Sequence, residues 1–124
     1  MSDYLKLSEI RAYRVASPLS DEVWEIVSGW KTLAQKTVGE QWIKATDSIA
    51  GNIAEGFGRH HKRDKVRFFY NARASVYESA HWAKKARQRG LIDEKQYQRI
   101  IKELRELPKE INGLIRSTME NLEE

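Results

Sequence analysis

Cysteine is absent from the 124-residue chain, and prolines number only two. The missing cysteines exclude disulfides, thiolate metal sites and cysteine nucleophiles together. No apolar run approaches the roughly 18 residues that a transmembrane helix needs. Residues Met1 to Ile10 carry Asp3, Lys6 and Glu9 and lack the apolar segment of a secretory signal. With charged residues at 32%, a cytoplasmic, non-membrane protein is expected. Sustained alternation of apolar and polar residues, the mark of a half-buried strand, is also missing. The length suits one domain over residues 1–124. The expectation is an all-α chain with few but long helices.

Apolar periodicity gives four of them. From about Ser8 to Gln35, Ile10, Tyr13, Ala16, Val23, Trp24, Val27, Trp30 and Ala34 recur at helical steps. Pro18 interrupts this pattern and leaves two readings, one kinked helix or two collinear ones, with Ser20 able to N-cap a restart. Thr37-Val-Gly-Glu40 has capping-box spacing, so a second helix is expected over 38–57. Its inner face is Trp42, Ile43, Thr46, Ile49, Ala50, Ile53 and Phe57. Ala45, Ser48, Gly51 and Ala54 form a small-residue face, and Gly56 and Gly58 are expected to end the helix at positive φ.

A third helix, over 62–89, carries two offset apolar rows, one through Val66, Phe69, Val76, Ala80 and Ala83, the other through Phe68, Ala72, Ser75, Ser79, Trp82 and Ala86. Tyr70 and Tyr77 widen the stripe beyond what one partner helix covers, which puts this helix either at the centre of a bundle or against another subunit. Gly90 ends it. Asp93 and Gln96 form a capping-box variant for a fourth helix over 94–122, whose core row runs from Tyr97 through Leu104, Leu107 and Ile111 to Leu122, with Pro108 as a kink inside it. Four long helices joined by short turns predict an antiparallel, up-down-up-down four-helix bundle.

Charge is distributed unevenly. Residues 1–58 hold six Lys and Arg against eight Asp and Glu, and residues 90–124 the same, a net of −2 each; residues 59–89 hold ten against two, a net of +8. The densest part is Arg59, His60, His61, Lys62, Arg63, Lys65 and Arg67. Convergent Lys and Arg neutralise phosphate backbones without base-specific geometry, so this cluster is the candidate nucleic-acid surface. A solvated helix start is the alternative, but cations at a helix N-terminus oppose the macrodipole, a cost that binding would justify. The second run, Lys84, Lys85, Arg87 and Arg89, lies roughly 30 Å further along the helix and complements its negative end.

Other patterns are weaker. Asn52, Glu55, Tyr70 and Glu78 lie beside core-facing stripes and are read as a structural polar network, with Glu55 or Glu78 paired to Arg59 or Arg73. Glu78-Ser-Ala-His81 has the Glu-x-x-His spacing of di-iron bundles, but one copy does not supply the ligands such a site needs. His60 and His61 diverge on a helix start and do not make a metal site. Gly56-Phe-Gly58 is too short for a phosphate loop and lacks the preceding strand. Trp24, Trp30, Trp42 and Trp82 could serve as base-stacking platforms, though at helical spacing core or interface placement is the plainer reading. No cofactor, metal or catalytic residue is expected, and no enzymatic activity.

Asn52-Ile-Ala-Glu-Gly-Phe-Gly-Arg59, the basic helix start, Arg67-Phe-Phe-Tyr70, Ser75-Val-Tyr-Glu78, Arg89-Gly-Leu-Ile92 and Leu107-Pro-Lys-Glu-Ile111 together resemble the family of 23S rRNA intervening-sequence proteins. The resemblance implies a four-helix bundle and a homo-oligomer, in particular a ring-shaped pentamer. The accessory protein of diversity-generating retroelements is similar in architecture, and that likeness implies RNA or DNA and a reverse transcriptase as partners. The leading expectation is a non-enzymatic, homo-oligomeric, nucleic-acid-binding bundle. The alternative is a scaffold whose oligomer docks a protein without touching nucleic acid.

Overall fold

The fold is that of a computed structural model, which describes residues 7–120. The chain is all-α there, and four long helices pack around a common core: α1 (Arg11–Ser28), α2 (Glu40–Gly58), α3 (Lys62–Gln88) and α4 (Glu94–Glu120). A single helical turn, Thr32–Ala34, and a π-helical segment, Gln35–Gly39, lead into α2 without a break. Helix α2 lies against α1 and α3, and α4 lies against α3 and α1. No helix of the described residues is long and apolar enough to cross a membrane.

Helix α1 runs unbroken through Pro18. The ring removes one backbone bond, but Ala12, Ala16, Leu19, Val23 and Val27 bury one continuous stripe across it and hold both halves in line. Ser20 does not cap a restart; its hydroxyl donates to the Ser17 carbonyl at 2.9 Å. Trp24, assigned to that stripe by periodicity, falls one position beside it and is 59% exposed. The expected helix over 8–35 ends at Ser28. Gly29 and Trp30 turn back onto the Ile26 and Val27 carbonyls, and the Gln35 amide donates to the Val27 and Ser28 carbonyls, satisfying groups that a helix end leaves unpaired. Trp30 thereby reaches Trp42 and stacks on it, with ring centroids 6.0 Å apart.

The capping box expected at Thr37 is not formed. Helical structure already begins at Thr32, so the Thr37 hydroxyl sits inside it and donates back to the Leu33 carbonyl at 2.8 Å. Nor do Gly56 and Gly58 take positive φ; both are helical, and the chain leaves α2 through an extended Arg59. Gly56 serves a steric purpose instead. A Cβ there would lie 2.7 Å from Phe69 Cε1 and 3.0 Å from the Lys65 carbonyl oxygen, so its absence lets the start of α3 approach α2. Phe69 fills that space and is buried.

Gly90, at φ 73°, ends α3 as expected. Leu91 N–H bonds the Ala86 carbonyl and Gly90 N–H the Arg87 carbonyl, the paired bonds of a Schellman turn. The capping box of α4 is reciprocal: Gln96 N–H donates to Asp93 Oδ1 at 2.7 Å, and Asp93 N–H to Gln96 Oε1 at 3.0 Å. Helix α4 continues through Pro108, with Ile100, Ile101, Leu104, Leu107, Ile111 and Ile115 buried. Leu122, expected at the end of that row, lies outside the described residues.

Among the described residues the core carries one polar pair. Thr46 Oγ1 donates to the Trp42 carbonyl and lies 2.8 Å from Ser79 Oγ, so Ser79 is the donor between the two hydroxyls. Outside, Arg11 bridges Glu106 at 2.9 Å and Glu110 at 3.1 Å, and Arg99 pairs with Glu22. Exposed pairs of this kind contribute well under about 1 kcal/mol each, against roughly 1.5–3 kcal/mol for each large apolar side chain fully buried. The core holds the fold; the ion pairs bias the register in which α1 and α4 meet.

Candidate nucleic-acid interface

The seven residues of the basic cluster do not act alike. Two of them are occupied with closing the helix ends. Lys65 Nζ donates to the Phe57 carbonyl at 2.8 Å, placing a cation on the negative end of α2, and sits 5.6 Å from the Phe57 ring centroid. Lys62 Nζ reaches the Met119 carbonyl at 3.5 Å, near the end of α4. His60 and His61 are exposed in the α2–α3 connection, their rings edge to face at 4.9 Å. Arg63 is exposed on the first turn of α3.

The remaining two, Arg59 and Arg67, converge on one aromatic ring. The Arg59 guanidinium carbon lies 4.7 Å and that of Arg67 5.0 Å from the centroid of Phe68. Arg59 also donates to Glu55 Oε2 at 2.6 Å, and Arg67 faces Asp64 at 3.6 Å. Both arginines are substantially exposed, so their charge reaches solvent while their planes are held by the ring. Beside Phe68 an open groove of about 400 Å³ runs along α2, lined by Ser48, Gly51, Asn52, Glu55 and Arg59, with Asp47 at one end.

The proposed polar network does not gather into one. Asn52 donates to the Ser48 carbonyl at 2.8 Å, Glu55 pairs with Arg59, Glu78 accepts from the Trp82 indole at 3.4 Å, and Tyr70 is exposed beneath the Arg73 guanidinium. Helical geometry explains the separation. Asn52 and Glu55 project from α2 towards the groove, whereas Tyr70 and Glu78 lie on outer positions of α3 and bond within their own helix. Arg73 instead donates to Asn112 Oδ1 across to α4. Glu78 and His81 are both exposed, and among the described residues no group of three or more His, Asp or Glu side chains is placed to hold a metal ion.

At the other end of α3, Arg87 stacks over Tyr97 at 3.9 Å and faces Glu94 at 3.4 Å, so part of the second basic run is tied into the α3–α4 turn. Of the tryptophans, Trp42 is buried, Trp30 and Trp82 are partly covered, and Trp24 is the most open.

Phe68 was legible only as a core position, because it belongs to the offset apolar row of α3. The signal for the groove is the spacing of Ser48, Asn52, Glu55 and Arg59, which lie three or four residues apart on one face of α2.

The Asp47 carboxyl is pushed up from the ordinary aspartate value of 3.8, first by burial and then by the nearby Asp21 charge, with Ser20 partly offsetting them. A folded state that holds its proton more tightly than the unfolded chain is favoured at low pH and loses that advantage as pH rises. Asp47→Asn should therefore raise the melting temperature slightly at pH 7 and leave it unchanged near pH 3. Thermal unfolding at the two pH values checks this; an equal gain at both would refute the burial and repulsion account.

The model of the family described as 23S rRNA-intervening sequence protein matches residues 8–113, nearly the whole described chain. The chain belongs to that family. The match spans all of α1, α2 and α3 and most of α4, and so contains both the Phe68 groove and the basic turn. No curated protein matches the chain.

Proposed function

We propose that this family member is a non-enzymatic, homo-oligomeric bundle that binds nucleic acid through the basic surface at the start of α3. The observation that carries the reading is the convergence of Arg59 and Arg67 on Phe68, with Arg63 exposed beside them, in the one segment where charge is concentrated. Phosphates are neutralised by exposed guanidinium groups, and each such contact adds to the salt dependence of binding. Contacts to phosphate do not distinguish the two polymers, so the ligand class is RNA or DNA.

The helices, in this reading, form the antiparallel up-down-up-down bundle of one domain. The ties of residue 11 to 106 and 110, of 22 to 99, and of 87 to 94 support that order. Homo-oligomerisation, a pentamer by family resemblance, is supported by an open apolar groove of about 410 Å³ between α3 and α4, where Val76, Ala80, Leu104 and Pro108 meet a 63% exposed Tyr77. A ring would repeat the basic surface and multiply its field. A cytoplasmic setting and a reverse-transcriptase partner belong to the same proposal.

The structure changes which residues make the best test. Lys65 and Lys62 close helix ends, so reversing them disturbs folding as well as binding. Arg63→Glu and Arg67→Glu leave those contacts intact. Each should weaken binding of an RNA or DNA oligonucleotide by about tenfold at 0.1 M salt and lower the salt slope by roughly one. Filter binding across a salt series measures both. Affinity indifferent to salt and to both reversals would overturn the proposal, and a protein partner retained after nuclease treatment would favour the scaffold reading instead.

A further inference from the structure

We propose that the groove beside Phe68 seats an unpaired nucleobase, so that the basic surface selects single-stranded over duplex nucleic acid. The inference rests on the binding function proposed above and specifies its substrate. Duplex DNA and RNA present phosphates outermost and keep their base faces stacked, so a purely electrostatic surface does not prefer a single strand. An aromatic partly open to solvent beside cations, as Phe68 is, does, because unpaired bases stack on aromatic rings and guanidinium planes.

The groove has that composition, and its charges are arranged by sign. Arg59 and Arg67 stand at Phe68, whereas the wall running away from the ring is made of acceptors: the Glu55 carboxylate, the Asn52 amide oxygen and, at the far end, Asp47. A phosphate is repelled from that wall and held at the arginines. A base edge, which carries amino and imino N–H groups, is accepted by it. The Asn52 amide is oriented by its bond to the Ser48 carbonyl, and Glu55 by Arg59, so both acceptors are fixed before a ligand arrives.

Gly51 supplies the space. It is exposed in the middle of α2, where glycine disfavours a helix, and a Cβ there would meet nothing within 4 Å. No packing requirement in the protomer therefore explains the missing side chain. Access to the groove does.

The test uses the full chain and a labelled 12-nucleotide strand of mixed sequence, as RNA and as DNA, each free and annealed to its complement, followed by fluorescence anisotropy at one fixed salt concentration. The free strand should bind at least tenfold more tightly than the duplex. Gly51→Leu should remove that preference while leaving duplex affinity and its salt slope unchanged, whereas Phe68→Leu, which also releases Arg59 and Arg67, should remove it with some loss of duplex affinity. A Cβ at position 51 meets nothing within 4 Å, so Gly51→Leu keeps the test decisive if Phe68→Leu does not fold. Equal affinity of the wild-type chain for strand and duplex, or an undiminished preference in Gly51→Leu, overturns the inference and leaves general nucleic-acid binding standing. A groove occupied by a neighbouring subunit would also overturn it, seen as a change of oligomeric mass in Gly51→Leu with strand binding unaltered. Absence of binding to every probe overturns the broader function as well.

Discussion

Phe69→Ala is expected to lower the unfolding free energy by about 3–5 kcal/mol, the range for removing a buried aromatic and leaving a cavity. Phe69 is 2% exposed and occupies the space that Gly56 leaves between α2 and α3. The more informative experiment is the pair. Gly56→Ala improves helix propensity by about 1 kcal/mol, but its methyl group would stand 2.7 Å from Phe69 Cε1 and 3.0 Å from the Lys65 carbonyl oxygen. The backbone oxygen cannot swing aside, so the substitution should destabilise by about 1–3 kcal/mol. Phe69→Leu withdraws the ring edge, and the double variant should then lose less than the sum of the two single ones by more than about 0.5 kcal/mol. Gly51→Ala is the control. With nothing within 4 Å of its Cβ, it should stabilise by about 0.5–1 kcal/mol. Urea unfolding with unchanged m-values reads all five. Additive losses at 56 and 69, or a stabilising Gly56→Ala, would show that α2 and α3 do not meet at this glycine.

These two glycines show where sequence reasoning reached and where it stopped. Periodicity is a property of one helix, and it located all four long helices because each buries a stripe along its own length. The capping chemistry of Asp93 and Gln96 is equally local, and so is the positive φ of Gly90; both were readable. Gly56 was not. Its purpose depends on Phe69, thirteen residues away on another helix, and a glycine near a helix end reads first as a turn. The same limit explains Ser28. The apolar period continues past the break because Trp30 is still needed in the core, so the pattern carries no mark of the change in direction. Thr37 failed for the opposite reason: its local spacing to Glu40 was right for a cap, but helical structure had already started five residues earlier.

The candidate interface divides in the same way. Total charge is additive along a sequence, so the excess over residues 59–89 was visible without coordinates. What each cation does depends on which carbonyl or ring comes within reach. Lys65 and Lys62 were grouped with the binding residues, yet their ammonium groups lie at the carboxyl ends of α2 and α4, where the helix dipole attracts them. This also revises the dipole argument. The basic residues at the start of α3 are unfavourable for that helix alone, but two of them are placed against the opposite pole of a neighbour. Of the remaining arginines, Arg59 and Arg67 meet Phe68 while pairing with Glu55 and Asp64, and Arg63 stands exposed on the first turn of α3.

Trp42→Ala is expected to cost about 3–5 kcal/mol, as for other fully buried aromatics, whereas Trp42→Phe should cost less than about 1.5 kcal/mol. The gap is larger than ring size alone would give. Trp42 is fully buried, and its indole N–H has no acceptor among the described residues. Burying an unpaired donor costs about 1–3 kcal/mol, a penalty that phenylalanine does not carry, and its release offsets much of the lost volume. What tryptophan provides in return is contact across the break between α1 and α2, where its ring stacks at 22° on Trp30. Trp42→Phe should therefore keep most of the stability while loosening the Gly29–Lys31 turn, seen as faster amide exchange at Trp30 and as a changed near-ultraviolet circular dichroism. If Trp42→Phe proves as damaging as Trp42→Ala, the indole N–H is paired, and the acceptor must come from outside the folded protomer, from a second subunit or an ordered solvent molecule. That outcome would move the search for the oligomer contact from the α3–α4 groove to the α1–α2 end of the bundle.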